Sequence, residues 1–356
     1  MGETAPSLVP RGFRRPKTLD MARRLIVIPA HRMVLSNHPV GNPVSAFNPA
    51  LLVLGDEIVL YPRIVVGYYK YVSAIAELRI PLTWVLKPCR LREERYPARI
   101  VVSPSTRYDM WGTEDPRVTK CLGGLCMVYT GRTLNYFDPG ARRWKTLPVM
   151  AYTQNAREWV KKAVFVPAFR IREQLVSDKD AYLVEAGGNM LFFHRPHTSG
   201  GFRTLISTVD EHDLREAVGG SCVKEVEVGE PILMVEKEGF EEKIGWSAPP
   251  VEVEPGRYLT LLHAVDNQLK IYRVFALLLR LGGGLVEVEA VSPTYIMEPR
   301  EPYETYGDRP YVVFPCGAAK VDDMLVVSYG AADSVVALAS FELSELLSLL
   351  DKGRLR

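Results

Sequence analysis

No run of about 18 consecutive apolar residues occurs anywhere in the chain, and no early segment joins a basic start to an apolar stretch and a small-residue cleavage site. Neither a membrane span nor a secretory leader is therefore expected, and the expected location is the cytoplasm. Cysteine is scarce: Cys89, Cys121, Cys126, Cys222 and Cys316 are odd in number, scattered and without a CxxC pair. That usage argues against a disulfide framework or a zinc site and reads as core thiols of a reducing compartment. His31, His38, His197 and His212 lack metal-ligand spacing and read as structural or surface residues. No metal or organic cofactor is expected. An excess of either charge is missing too. The 44 Lys plus Arg face 42 Asp plus Glu, a net of +2, too balanced for a protein whose main business is binding a polyanion. Nucleic acid is excluded as the expected partner, and any bound anion should be small.

What is present is ordinary globular material, 47% hydrophobic and 24% charged, enough for a sizeable core. The local basic excess lies in residues 1–32, where Arg11, Arg14, Arg15, Lys17, Arg23, Arg24 and Arg32 concentrate. This N-terminal extension is expected to be a solvated arm, with a homo-oligomer contact or a nucleic-acid patch as lesser readings. Beyond it, short β-branched and aromatic runs alternate with Gly, Pro, Asn and Asp. Glu57 to Tyr61, Arg99 to Ser103, Leu122 to Tyr129, Ala181 to Phe193, Arg257 to His263, Tyr272 to Arg280, Tyr311 to Cys316 and Met324 to Tyr329 are such runs. Helical spacing is clear only at the end, in the stripe Leu343, Leu346, Leu347, Leu349 and Leu350 closed by Lys352 and Gly353; Thr18 to Arg24 is a weaker candidate. The Gly282-Gly283-Gly284 triplet reads as a hairpin turn, since no Lys or helix follows it. Many short strands without βαβ alternation indicate an all-β sandwich, barrel or propeller, and length favours the propeller. About 320 residues beyond the arm accommodate five blades of roughly 60, although no crisp repeat sets that number.

Several segments carry polar groups that a strand scaffold does not require. They are Phe47-Asn48-Pro49-Ala50, Pro62-Arg63, Gly112-Thr113-Glu114-Asp115-Pro116-Arg117, Asp178-Lys179-Asp180-Ala181, Phe193-His194-Arg195-Pro196, Lys243-Ile244-Gly245-Trp246, Leu262-His263 and Tyr329-Gly330-Ala331-Ala332-Asp333. Taken in this order, the set resembles glycoside hydrolase family 130, the mannoside phosphorylases and related mannosidases, from about Asn48 to the terminal helix. The resemblance implies a five-bladed β-propeller over residues 33–356, with the active site in its central funnel. It also implies that Asp115 is the general acid, acting through the sugar 3-hydroxyl in the phosphorylases. The phosphate-binding positions then fall on Lys179, Arg195, His263 and Tyr272, with Lys243 close by. Asn48, Arg63, Asp180 and Asp333 match or adjoin the positions that hold the mannosyl unit.

The chemistry of these side chains suits the assignment. A general acid needs a carboxyl that can carry a proton to the leaving oxygen. A phosphorylase needs cations for a nucleophile that is already anionic, and Arg, Lys, His and Tyr supply forked, point-charge and directional donors. The expected reaction is inverting phosphorolysis, in which a β-mannoside and inorganic phosphate give α-mannose 1-phosphate and a shortened acceptor. A water-using β-mannosidase on the same fold, or a non-catalytic sugar-binding propeller, are the alternatives. Tyr108, Trp111, Trp246 and Tyr303 are candidates to stack on sugar rings, with blade packing as an equal reading. Two departures from the family pattern stand out: Tyr182-Leu183-Val184-Glu185 replaces the usual continuation after Lys-Asp-Ala, and the stretch Ala76 to Pro81 lacks a usual Ser-x-Asp-Gly turn.

Overall fold

The computed structural model of the chain describes residues 7–67, 71–87, 94–135, 144–282 and 285–355. Its β-branched and aromatic runs form antiparallel meanders, some of whose strands are joined by tight turns, such as Gly55-Asp56 and Leu122-Gly123. The first comprises Ser45–Leu54, Glu57–Val65, Ser73–Pro81 and Tyr96–Val102, with Met33–Leu35 added in parallel at its outer edge. The second is Thr113–Cys121, Gly124–Arg132, Thr146–Thr153 and Val160–Pro167. The third is Leu175–Ala186, Asn189–Thr198, Thr204–Val209 and Lys224–Val235. These two are joined edge to edge, by parallel pairing of Val160–Pro167 with Lys224–Val235, into one ten-stranded sheet that also holds two short strands. Glu241–Trp246, Arg257–Asp266, Tyr272–Gly282 and Leu285–Val291 form the next sheet, and Val313–Val321, Met324–Ala331, Val335–Glu342 and Arg23–Pro29 the last.

The first strands of the meanders face inward and close a ring. Ser45–Leu54 packs against both Thr113–Cys121 and Val313–Val321, and Leu175–Ala186 packs against Thr113–Cys121 and Glu241–Trp246. Apolar side chains fill the wedges between sheets. Leu25, Ile26 and Ile28 meet Ile58, Leu60, Leu78 and Leu338 in one of them. In another, Leu343, Leu346, Leu349 and Leu350 of the terminal helix Leu343–Asp351 cover Leu278, Val327 and Ala339. The helical stripe expected at the chain end is thus present, at the expected residues.

Four local expectations change. Ala181 to Phe193 is not one strand, because Gly187 and Gly188, at φ +59° and +77°, turn the chain between two antiparallel strands. Thr18 to Arg24 is not helical: the amides of Leu19 and Met21 donate to Tyr295 and Ile296 carbonyls, which takes the backbone groups a helix would need. Cys121 and Cys126 form a disulfide, Cα atoms 6.0 Å apart. The tight turn from Thr113–Cys121 into Gly124–Arg132 brings these positions together, a spacing that a search for CxxC misses. Cysteine usage therefore no longer argues for a reducing compartment. Cys222 is exposed and free, Cys316 buried and free, and Cys89 lies outside the described residues, as do Gly283 and Gly284 of the triplet. No helix among the described residues is long and apolar enough to cross a membrane.

The fourth change concerns the basic arm, which is not a solvated tail over residues 7–32. Ser7–Val9 pairs in parallel with Lys224–Val235, and Arg23–Pro29 is the outer strand of the last sheet, so the N-terminal segment and the C-terminal meander close the ring together. Two of its arginines are buried because carboxylates await them. Arg14 donates to Glu241 at 2.6 Å; Arg24 donates to Asp20 at 2.6 Å and to Glu304 at 3.1 Å. Glu304 also accepts from the Tyr329 hydroxyl at 2.7 Å. Glu304→Ala would leave the buried guanidinium with Asp20 as its one remaining carboxylate among the described residues and the Tyr329 hydroxyl without its carboxylate acceptor, and we expect it to cost about 1–3 kcal/mol, read as a lower denaturant midpoint.

Candidate active site

Along the inner strands, three residues interrupt the regular ladder in the same way. Pairing slips between Phe47 and Ala50, between Glu114 and Arg117, and between Lys179 and Tyr182. At these bulges Asn48, Asp115 and Asp180 take left-handed backbone angles of +49°, +49° and +54°. Asn and Asp tolerate that region better than other side chains, and a bulge re-aims its residue away from the pleat. Asp333 reaches the same region, at +49°, in the turn after Met324–Ala331. The near-equal spacing of positions 48, 115 and 180 is a repeat at the level of backbone geometry, written in the sequence only as a polar residue followed by Pro49, Pro116 or Ala181.

These side chains line one cavity of about 680 Å³. All ten residues singled out from the sequence border it: Asn48, Arg63, Asp115, Lys179, Asp180, Arg195, Lys243, His263, Tyr272 and Asp333. Asp115 accepts from Asn48 Nδ2 at 2.8 Å and from Arg63 at 3.4 Å, both on Oδ1. Glu114 is fully buried and gathers Arg63, Arg132 and Lys179 at 3.1, 3.0 and 3.3 Å. Arg117, also buried, donates to the Asp115 carbonyl at 2.9 Å and reaches Asp180 at 3.4 Å. The neighbours of Asp115 therefore fix its backbone and the surrounding cations.

Asp180 lies at the foot of a cationic group. Arg195 Nε donates to its Oδ2, and His263 Nε2 stands 3.6 Å from the same oxygen. Burial opposes ionisation of Asp180, but the charges of Arg195 and Arg117 outweigh it and hold the carboxyl well below its usual range. Burial pushes His263 down to about 3, so its imidazole is neutral near pH 7, with Nδ1 against Ser247 Oγ at 3.1 Å. Burial and then the charges of Arg195 and Arg309 bring Lys243 down to about 8. Tyr272 is pushed up to about 12, mainly by burial. Asp333 rises to about 6, through burial first and then the negative charge of Asp115, against the pull of Arg63. Arg195 Nη1 is buried with no protein partner among the described residues, a donor available to a ligand.

A sequence model of glycoside hydrolase family 130, described as beta-1,4-mannooligosaccharide phosphorylase, matches residues 12–352. The chain belongs to this family. The beta-1,2-mannobiose phosphorylase of Thermoanaerobacter sp. (strain X514) is 28% identical over 328 residues, covering 86% of this chain and 96% of the relative. The 1,2-beta-oligomannan phosphorylase of the same organism is 28% identical over 249 residues, 69% of this chain and 73% of that one. Among solved structures, the beta-1,2-mannobiose phosphorylase of Listeria innocua in complex with beta-1,2-mannobiose superposes with a TM-score of 0.68 at 19% identity, over 93% of this chain and 99% of that one. The all-β fold of this family 130 chain is shared with that structure.

The aromatic candidates do not reach the cavity of this family 130 site. Trp246 is buried in the core with its indole N–H on the Leu205 carbonyl, and among the described residues Tyr108, Trp111 and Tyr303 do not line the cavity either. Phe47, Tyr71, Phe202, Tyr272 and Phe314 line it instead. His197, read as structural or surface, is also part of the lining and stacks on Phe202 with ring centroids 4.1 Å apart. Arg309 and Asp308 were not legible in advance, because they lie in an irregular loop without a motif; Arg309 stands over the Tyr272 ring at 4.8 Å. Glu185 is exposed and accepts from the Leu122 amide outside the cavity, and Ala76 to Pro81 is regular strand. One grouping of potential metal ligands occurs among the described residues, His212, Asp213 and Glu216 on the helix Glu211–Gly219. It is outside the cavity lining, and Asp213 and Glu216 already share the Lys224 ammonium.

Proposed function

We propose that the chain is an inverting β-mannoside phosphorylase on a five-bladed propeller, converting a β-mannoside and inorganic phosphate to α-mannose 1-phosphate and a shortened acceptor sugar. The ten-stranded sheet counts as two blades, since among the described strands its meanders are hydrogen-bonded to each other along one parallel edge alone, and the other three sheets supply the rest. The observation that carries the functional reading is the convergence on one cavity of Asp115, the cations Arg195, Lys243 and Lys179, and the neutral side chains of His263 and Tyr272. A phosphate oxygen attacks the anomeric carbon on the α face as the bond to the leaving oxygen breaks. Asp115 supplies the proton for that oxygen, by way of the sugar 3-hydroxyl, and its Oδ2 is the oxygen not engaged by Asn48 or Arg63. Asn48, Arg63 and Asp333 hold the mannosyl unit, while Asp180 keeps Arg195 and His263 aimed at phosphate. No cofactor enters this chemistry, and the cytoplasm supplies the phosphate.

A hydrolase would need a second carboxylate free to activate water. Glu114 and Asp180 do not suit that role, because arginine and lysine side chains occupy their oxygens, which leaves Asp333 and Asp308 as the cavity carboxylates from which a hydrolase would have to draw. The relatives' linkage makes β-1,2-mannobiose the first substrate to try. Its cleavage is expected to require phosphate and to release mannose 1-phosphate; a rate indifferent to phosphate would establish the hydrolase instead.

The pH profile should carry the mark of Lys243. Its ammonium is present below about 8 and is lost above it, so kcat/KM for phosphate should fall on the alkaline side as the anion loses a positive partner. In Lys243→Arg that limb should move to higher pH, since guanidinium stays charged. An alkaline limb left in place by this substitution would assign it to another group.

A further inference from the structure

The ring of Phe202 stands between two cavities. It and Lys243 line both the large one already described and a second of about 300 Å³, bordered further by Arg11, Arg203, Lys237, Glu236 and Glu238. The acidic members are already engaged. Glu238 accepts from the backbone N–H groups of Gly12, Phe13 and Arg14, and Glu236 takes the Arg11 amide. Among the described residues, no carboxylate pairs with the side chains of Arg11, Arg203 or Lys243, and the four basic residues Arg11, Arg203, Lys237 and Lys243 outnumber the two carboxylates, so the lining of the smaller chamber is net positive.

Phe202 is built to separate the chambers without sealing them. It belongs to a two-residue strand folded back on His197 and Thr198 and is 38% exposed. The Arg195 guanidinium lies 4.9 Å from its ring centre and the Lys243 ammonium 5.4 Å. Gly201 precedes it at φ +98°, a backbone state that suits glycine, and nothing lies within 4 Å of where a Cβ would project. The partition is one aromatic ring that follows a left-handed glycine, flanked by two cations of the group assigned to phosphate.

We propose that the smaller cavity is an antechamber through which inorganic phosphate reaches Lys243 and Arg195 beside the Phe202 ring, independently of the mouth that takes the sugar. The inference rests on the phosphorolysis reading above. A cleft of one charge sign raises the local concentration of its counter-ion and speeds capture, an effect that salt weakens. A route of this kind lets phosphate exchange while a mannoside occupies the main cavity.

The test compares wild type with the double variant Arg11→Ala/Arg203→Ala, varying phosphate at saturating β-mannoside in low and high salt. Both side chains are exposed, so the variant should fold. The expected result is a phosphate KM raised about tenfold at low salt, with a flatter salt dependence and with kcat and the mannoside KM within about twofold. Arg203→Glu should raise the phosphate KM further. Phosphate-dependent cleavage with an unchanged phosphate KM in all variants overturns the antechamber and leaves the phosphorylase standing. A rise confined to the mannoside KM overturns it in favour of a sugar subsite. A wild-type rate indifferent to phosphate removes the phosphorylase reading and the antechamber with it.

Discussion

Asp115→Asn is expected to lower turnover of β-mannosides by about 10²–10⁴-fold, the usual contribution of a positioned proton donor. The substitution is nearly isosteric. The amide oxygen still accepts from Asn48 Nδ2, and asparagine tolerates the left-handed backbone at +49° that position 115 imposes. What it lacks is a transferable proton. The loss should therefore fall on kcat, with the mannoside KM little changed and the thermal midpoint close to wild type. Assay of phosphate release in the synthetic direction, from mannose 1-phosphate and an acceptor sugar, should show the same loss, because the residue that protonates the leaving oxygen in one direction deprotonates the acceptor in the other. Wild-type turnover in the asparagine variant would remove Asp115 from the chemistry.

Gly245→Ala should damage the phosphate end with almost equal force, although position 245 has no functional group. A Cβ there would sit 2.5 Å from Asp180 Oδ2, 2.6 Å from His263 Cε1 and 2.8 Å from Arg195 Nε, distances that real side chains do not tolerate. One methyl group would force apart the pair that aims Arg195. Misplacing a binding group by about 1 Å can cost 10²-fold, and a loss of roughly that size is expected in kcat/KM for phosphate. The overpacking itself should cost about 1–3 kcal/mol of stability. A useful contrast is Gly219→Ala, where nothing lies within 4 Å of the added carbon. Equal phosphate kinetics in Gly245→Ala and Gly219→Ala would show that the crowding seen around position 245 is relieved without consequence.

Much of the site was legible because its residues are chemically out of place in strands. Asp115 between Glu114 and Pro116, or Lys179 beside Asp180, serves no pleated scaffold, and their order along the chain carried the family resemblance. The strand runs and the terminal helix were legible for the opposite reason, since their periodicity is what packing demands. Charge pairing misled at the N-terminus. Arg14 and Arg24 look like a solvated basic arm until Glu241 and Glu304, more than two hundred residues away, are brought against them. The disulfide escaped notice because pairing of Cys121 with Cys126 depends on a hairpin turn, not on a spacing motif. Trp246 drew attention as a sugar platform, yet an indole whose N–H finds a backbone carbonyl is well placed in a core. Phe202 and Arg309, which do line the cavity, sit in a two-residue strand and an irregular loop whose sequence says nothing about where they point.

The sequence by itself determined the all-β class and the helix at the chain end, because these follow from local periodicity, while Asp115, Lys179, Arg195, Lys243, His263 and Tyr272 were marked out as a set by an order of motifs that resembles family 130. Only the tertiary structure decided that they share one cavity, that Glu114 and Asp180 hold the cations in place, and that the strand Arg23–Pro29 completes the last sheet. Those are contacts between residues far apart along the chain. Each is fixed by the ring of inner strands and by three left-handed bulges, and a linear reading contains neither the ring nor the angle at which a bulge aims its side chain.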